Sequence, residues 1–178
     1  MKTMKMILLG SILIIAAFFS ANVFSQECKY EVNEVDKFTS QKKIITEPIT
    51  VVKKFKMDKT IKIKPISFQL KLENETYLLN LMFQMKKGNV TVTDKENLIL
   101  MLSNGEQVNL VRNGFMPSAI IAKAYLAILA YDYIITPDQL ELLTKYEITD
   151  VRVEAMINPF DFQIMEGCST IKIFQCLK

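Results

Sequence analysis

Apolar and polar residues alternate with a period of two along most of this chain, the mark of strands with one buried face. Phe55 and Met57 alternate with Lys54 and Lys56; after a turn at Asp58-Lys59, Ile61 and Ile63 alternate with Lys62 and Lys64. The phase slips at Lys64-Pro65, and Ile66, Phe68, Leu70 and Leu72 become the apolar set against Ser67, Gln69 and Lys71. Proline lacks the amide that a continuous ladder needs, so the slip predicts a bulge or break on an edge strand. Leu79, Leu81, Phe83 and Met85 continue the alternation, and Gly88-Asn89 marks a turn. Leu98, Leu100 and Leu102 lead through Ser103-Asn104-Gly105-Glu106 to Val108 and Leu110. Asn-Gly between two alternating runs predicts a hairpin, because both residues tolerate positive φ. A second Asn-Gly at 113–114 ends that strand.

Residues 119–135 fit either a buried central strand or an alanine-rich helix. Their aromatic and β-branched finish favours a strand over Tyr125 to Ile135. Thr136-Pro137-Asp138-Gln139 then supplies an N-cap threonine, proline at N1 and glutamine at N3, a capping box. The helix it opens is expected to reach Tyr146 and to bury Leu140 and Leu143. Ile148 to Met156 returns to strand, and Asn158-Pro159 turns it into Phe160 to Ile164. Ile171, Phe174 and Leu177 lie at helical spacing, which favours a helix over Ser169 to Lys178. The expected class is α+β: a mostly antiparallel β-sheet with one clear helix over residues 137–146 and a candidate C-terminal helix.

The first 25 residues carry a different pattern. Lys2 and Lys5 precede an apolar run from Ile7 to Phe19, and Val23-Phe24-Ser25 offers a cleavage site before Gln26. Residues 1–25 therefore read as a signal peptide, and residues 26–178 as a single soluble strand-rich domain, periplasmic or secreted. An uncleaved anchor is the alternative, but Ser20, Asn22 and Ser25 weaken its far end. Lipid attachment at Cys28 is rejected, because Glu27 occupies the position where a small residue belongs. After cleavage no membrane span is expected.

Export changes the weight of the charges. The whole chain has a formal net charge of +3, and loss of Lys2 and Lys5 leaves only +1. Residues 26–90 carry +5 and residues 91–178 carry −4, a polarity that opposed surfaces of one domain explain. The lysines from Lys42 to Lys64 read as solvated strand faces that discourage edge-to-edge pairing. Nucleic acid is not an expected partner of an exported chain with so few interleaved aromatics.

Export also places three cysteines where disulfides persist. Cys168 and Cys176 are eight residues apart, roughly 12 Å in a helix or about 26 Å in a strand. Disulfide partners need Cα atoms within about 7 Å, so those two pair only if the chain doubles back. The expected bridge joins Cys28 to the C-terminal segment, with Cys176 preferred over Cys168, which is left as a small buried hydrophobe.

There is no histidine, which removes the commonest general base and metal ligand. Three scattered cysteines do not make an ordinary zinc site, and phosphate-loop, dinucleotide and EF-hand motifs are missing. No cofactor, metal or catalytic residue is assigned. Ser169-Thr-Ile-Lys172 matches the Ser-x-x-Lys of penicillin-binding enzymes, but so does Ser40-Gln-Lys-Lys43, and the companion motifs are missing. Asn74-Glu-Thr76 and Asn89-Val-Thr91 are glycosylation sequons, meaningful only in a eukaryotic secretory route. Glu31, Glu34 and Asp36 are weak calcium candidates without the required glycine turn. Arg152, between Asp150 and Glu154, suits a surface ion pair.

Three stretches, Asn33-Glu-Val-Asp-Lys-Phe-Thr39, Leu100-Met-Leu-Ser-Asn-Gly105 and Ile148-Thr-Asp-Val-Arg-Val153, carry a resemblance. The chain resembles a loose group of uncharacterised small exported proteins of Gram-negative bacteria. The resemblance implies export and the α+β class, and no activity. The leading expectation is an exported non-enzymatic binding or structural domain that meets a protein partner through an edge strand around Thr60 to Leu72. A carboxylate-dependent hydrolase is the alternative, with Asp132 and Asp161 as its acids, and it requires them to converge in a cleft. A carrier of an apolar ligand would need an internal cavity.

Overall fold

The computed structural model describes residues 28–53, 55–56, 62–63, 65–86, 97–114, 126–154 and 159–178. The expected signal peptide, the turn at Asp58-Lys59 and residues 119–125 therefore lie outside the described residues. The strands are β1 (Tyr30–Val35), β2 (Lys42–Thr46), β3 (Ile49–Val52), β4 (Phe55–Lys56), β5 (Lys62–Ile63) and β6 (Ile66–Glu73). They continue with β7 (Thr76–Lys86), β8 (Asn97–Leu102), β9 (Gln107–Arg112), β10 (Leu126–Ile135), β11 (Ile148–Val153) and β12 (Phe160–Gln163). Two short helices, α1 (Pro137–Leu143) and α2 (Thr170–Gln175), complete the described elements. The chain is α+β and mostly antiparallel sheet, as the alternation predicts.

Ten strands form one sheet in the order β1-β2-β6-β7-β10-β9-β8-β11-β12, with β3 paired to β6 beside β2, and β4 and β5 form a separate pair. The break expected at Lys64-Pro65 falls between β5 and β6, which belong to different sheets. The edge position expected for this region is corrected. β6 is an interior strand, flanked by β7 along its whole length and by β3 and β2 on its other side. Proline stands just before the ladder begins, so it costs the sheet no hydrogen bond.

The sheet curls until its β12 end reaches β3. The Met165 amide, just past β12, donates to the Val51 carbonyl of β3 at 2.9 Å. Phe83 of β7 and Phe160 of β12 are distant in strand order, yet their rings meet edge to face at 5.6 Å. The predicted apolar positions line the inside of this roll. Ile66, Phe68, Leu70, Leu79, Leu81, Leu98, Leu100 and Leu110 are fully buried, and they join Val51, Val153 and Phe174 in one core. The outer face of the central strands is covered too, since Ser67, Gln69 and Asn80 are buried. Gln69 meets that cost by donating to the Thr46 carbonyl and to Glu31, both at 3.0 Å.

Turn chemistry sets the hairpins. Asn74 and Glu75 both take positive φ between Glu73 and Thr76, the two-residue turn whose twist matches its strands. At Ser103 to Glu106 only Gly105 does so, at φ 87°, and the Asn104 side chain instead accepts from the Glu106 amide. The first helix is capped as expected: Thr136 Oγ1 accepts from the Gln139 amide, and the Gln139 side chain accepts from the Thr136 amide. It ends at Leu143 rather than Tyr146: Thr144 is the C-cap, and the Lys145 amide bonds back three residues to the Leu142 carbonyl as the last turn tightens. The C-terminal helix also forms, but it buries Thr170, Ile173 and Phe174 and leaves Ile171 half-buried. Its face is set by Thr170, whose hydroxyl accepts from the Ile148 amide of β11 at 2.8 Å.

Candidate functional site

The β1–β2 hairpin ends one side of the sheet: β2 pairs with β6 and buries Ile44 and Thr46, while β1 and the turn project from it as an arm. β1 pairs only with β2 among the described residues, and five of its six residues are exposed. Three contacts fasten its root. The Cys28 and Cys176 sulfurs are 2.08 Å apart, at disulfide distance, with Cα atoms 5.6 Å apart. The Tyr30 hydroxyl donates to the Cys176 carbonyl at 3.2 Å, and Glu31 accepts from Gln69. The bridge spans 148 residues; closing so long a loop stabilises by about 5 kcal/mol in a chain-entropy treatment. The expected pairing with Cys176 is the one observed. Cys168 is half-buried rather than buried, and burial, with the Glu147 carboxylate beside it, pushes its thiol pKa up.

The tip of the arm is ordered from one side chain. Asp36 Oδ1 accepts from the Phe38 amide at 2.8 Å, the Thr39 amide at 2.7 Å and the Thr39 hydroxyl at 3.0 Å. These bonds hold the Asp36 carboxyl below its usual pKa. The Ser40 amide donates to the Asp36 carbonyl, and Ser40 takes φ 57° to let the chain reverse. This turn presents Phe38 with 97% of its surface in water, beside Val35 at 58%. Between the tip and the Glu73-Asn74 turn lies an open groove of about 590 Å³, rimmed by Glu34, Lys37, Lys42 and Lys43.

The other candidates are accounted for locally. Asp132, on the outer face of β10, pairs with Lys71 at 3.0 Å and accepts from Asn80 at 2.7 Å. Asp161, on β12, holds Arg152 through two bonds of 2.8 and 2.7 Å, the surface pair expected of that arginine. β9, β8 and β11 separate the strands that carry the two acids. Among the described residues each acid is engaged by its own local partners on strands that are not neighbours, which gives the carboxylate-pair reading no support. Ser169 is the N-cap of α2, and its hydroxyl donates to Glu147 Oε1 at 2.6 Å. Glu147 also accepts from the amide and hydroxyl of Thr170 and from the Ile171 amide. Burial raises the Glu147 pKa, but these four donors outweigh it and leave the carboxyl below its ordinary value. The Ser-x-x-Lys match is thus a helix cap. Among the described residues no three Cys, Asp or Glu side chains gather around one metal position.

Inside the roll, the burial pattern of β9 points Arg112 inward, and the register places it opposite Tyr133. Tyr131 and Tyr133 are buried, and their hydroxyls have no hydrogen-bond partner among the described residues. Burial pushes the Tyr131 pKa up to about 12, and that of Tyr133 further still, against the pull of the Arg112 charge. The sequence reading favoured a strand over Tyr125 to Ile135 but assigned no orientation to Arg112, Tyr131 or Tyr133. The sequence reading also passed over β1 and the Asp36 turn. Asp36 three residues before Thr39 was its available signal, since aspartate accepts from amides two and three residues on. No family model, curated protein or solved structure matches the chain.

Proposed function

We propose that this chain is an exported, non-enzymatic binding domain whose partner docks on the β1–β2 arm. The observation that carries the reading is Phe38, held almost fully exposed by the Asp36 turn. An ordered turn that spends its hydrogen bonds displaying one large apolar side chain suits insertion into a partner's pocket. The edge-strand role moves accordingly from Thr60–Leu72 to β1. Export rests on residues 1–25, and the Cys28–Cys176 pair fits an oxidising compartment, periplasmic or extracellular.

The test is a photo-crosslinking amino acid placed at Phe38 and, as a control on a distant turn, at Asn104. Irradiation in the native cell envelope is expected to yield one discrete protein adduct from position 38 and none from 104. Adducts that are the same from both positions, or missing from both, would remove the arm as a docking element. Mass analysis of the exported protein is expected to show Gln26 as the first residue; a retained N-terminus would overturn cleavage.

A further inference from the structure

The arm's backbone and its charges together specify the kind of partner. The Asp36 amide donates to the Gln41 carbonyl, so Asp36 directs its N–H at the β2 side, while its carbonyl accepts from Ser40 in the turn. In the register below them, Val35 faces Lys42, Glu34 faces Lys43 and Asn33 faces Ile44. Antiparallel pairs alternate between hydrogen-bonded and non-bonded. Glu34 therefore directs its backbone groups at β2, while Asn33 and Val35 direct theirs to the open side. That open side carries the amides and carbonyls of a strand edge, with neither lysine nor proline inside β1 to guard it.

The charges inside β1 are Glu31 and Glu34, both exposed. Glu31 receives an amide from Gln69, which leaves its charge unneutralised. The cross-strand neighbour of Glu34 is Lys43, whose ammonium is bridged to Glu73 at 3.1 Å. Among the described residues, neither β1 carboxylate has a cation at ion-pair distance. A second copy would add its own β1 carboxylates to the same seam, and like charges across strands repel.

We infer that β1 accepts an extended, lysine- or arginine-bearing segment of a different protein as an added strand, hydrogen-bonded through Asn33 and Val35. This rests on the arm being the docking element and adds the mode and the charge of the partner.

The probe is a short peptide of alternating lysine and valine, with a glutamate–valine peptide as control, read by amide exchange and titration against the mature chain. The lysine peptide is expected to protect the Asn33 and Val35 amides and to bind more tightly than the glutamate peptide. Its affinity should fall as salt rises. Glu34→Lys is expected to weaken it about fivefold, the size of one cross-strand charge pair. Asn33→Pro removes an outward amide that β2 does not use, so binding is expected to vanish while the melting temperature holds. Equal binding of both peptides, protection outside β1, or self-association through β1 without peptide binding would each overturn strand addition by a basic segment. If the Phe38 crosslinker still captures a protein in that event, the arm remains the docking element; if it does not, both readings fall.

Discussion

Two phenylalanines show how differently this chain uses the same side chain. Phe83 is 1% exposed, stacked on Tyr131 at 5.9 Å and set edge-on to Phe160 at 5.6 Å. Phe38 is 97% exposed on a turn built from backbone bonds to Asp36. The first is held by packing, where the apolar area removed from water is the driving force. The second is held by polar bonds and gains nothing from the fold. The roll is thus a scaffold whose stability lies in its interior. The arm buries only Ile44 and Thr46 of β2, and its β1 strand and tip are ordered by the disulfide root, the pairing with β2 and the turn. A strand and turn that stay exposed leave their apolar surface for something outside the molecule.

Truncating each ring separates the two regions most sharply. Phe83→Ala is expected to cost about 3–5 kcal/mol, the range for a buried aromatic ring removed from a packed core. Phe38→Ala is expected to leave stability within about 0.5 kcal/mol, as for exposed substitutions generally. Urea unfolding of both variants checks the pair. A loss at Phe38 comparable to that at Phe83 would show that the arm folds back on the roll in solution.

A smaller effect tests whether the end of the roll where the arm is rooted is held electrostatically. Glu147 caps the helix that ends at Cys176, the arm's disulfide partner. Its carboxyl lies below the ordinary 4.5, so its stabilisation is fully present above that pH. It is lost as pH falls through the lower folded value, because the folded state resists protonation more than the unfolded chain does. Glu147→Gln is expected to lower stability by about 2 kcal/mol near neutrality, the scale of hydrogen bonds to a charged acceptor. The difference from the native chain should shrink to nothing in strong acid. Unfolding midpoints over an acid series measure it; a constant offset at every pH would mean that packing, not charge, links Glu147 to the helix.

The roll was largely legible and the arm was not, for a physical reason. Period-two patterning exists because one face of a strand is buried, so Leu79, Leu81, Leu98 and Leu100 declared their orientation. β1 is Tyr-Glu-Val-Asn-Glu-Val and exposed almost throughout, so no burial imprints a pattern on it. The interior place of β6 was hidden because strand order is a long-range property: Pro65 and the phase slip mark where a strand begins, not which strands flank it. Chain geometry disfavoured Cys168–Cys176 and so pointed to Cys28 as one member of the bridge, but it left Cys168 and Cys176 both open as its partner. The capping box at Thr136 was readable because it is local. Asp132 and Asp161 could be found as acids in apolar company, but their separation in the sheet depends on the order of β9, β8 and β11.

The smallest expected effect concerns a buried polar group that packing alone does not satisfy. The Tyr133 ring is fully buried, yet its hydroxyl has no partner among the described residues. A buried hydroxyl that gives up water without gaining a bond costs about 1–3 kcal/mol, whereas an apolar replacement of the same shape avoids that cost. Tyr133→Phe keeps the ring, its contact with Tyr131 at 6.4 Å and its place opposite Arg112. Stability is therefore expected to rise by about 1 kcal/mol, read as a higher urea midpoint at an unchanged slope. A fall of similar size would mean that the hydroxyl is bonded in solution, by water or by the guanidinium. The roll would then hold a polar network inside it, and the contrast between a packed interior and a polar-bonded arm would blur where Arg112 and Tyr133 meet.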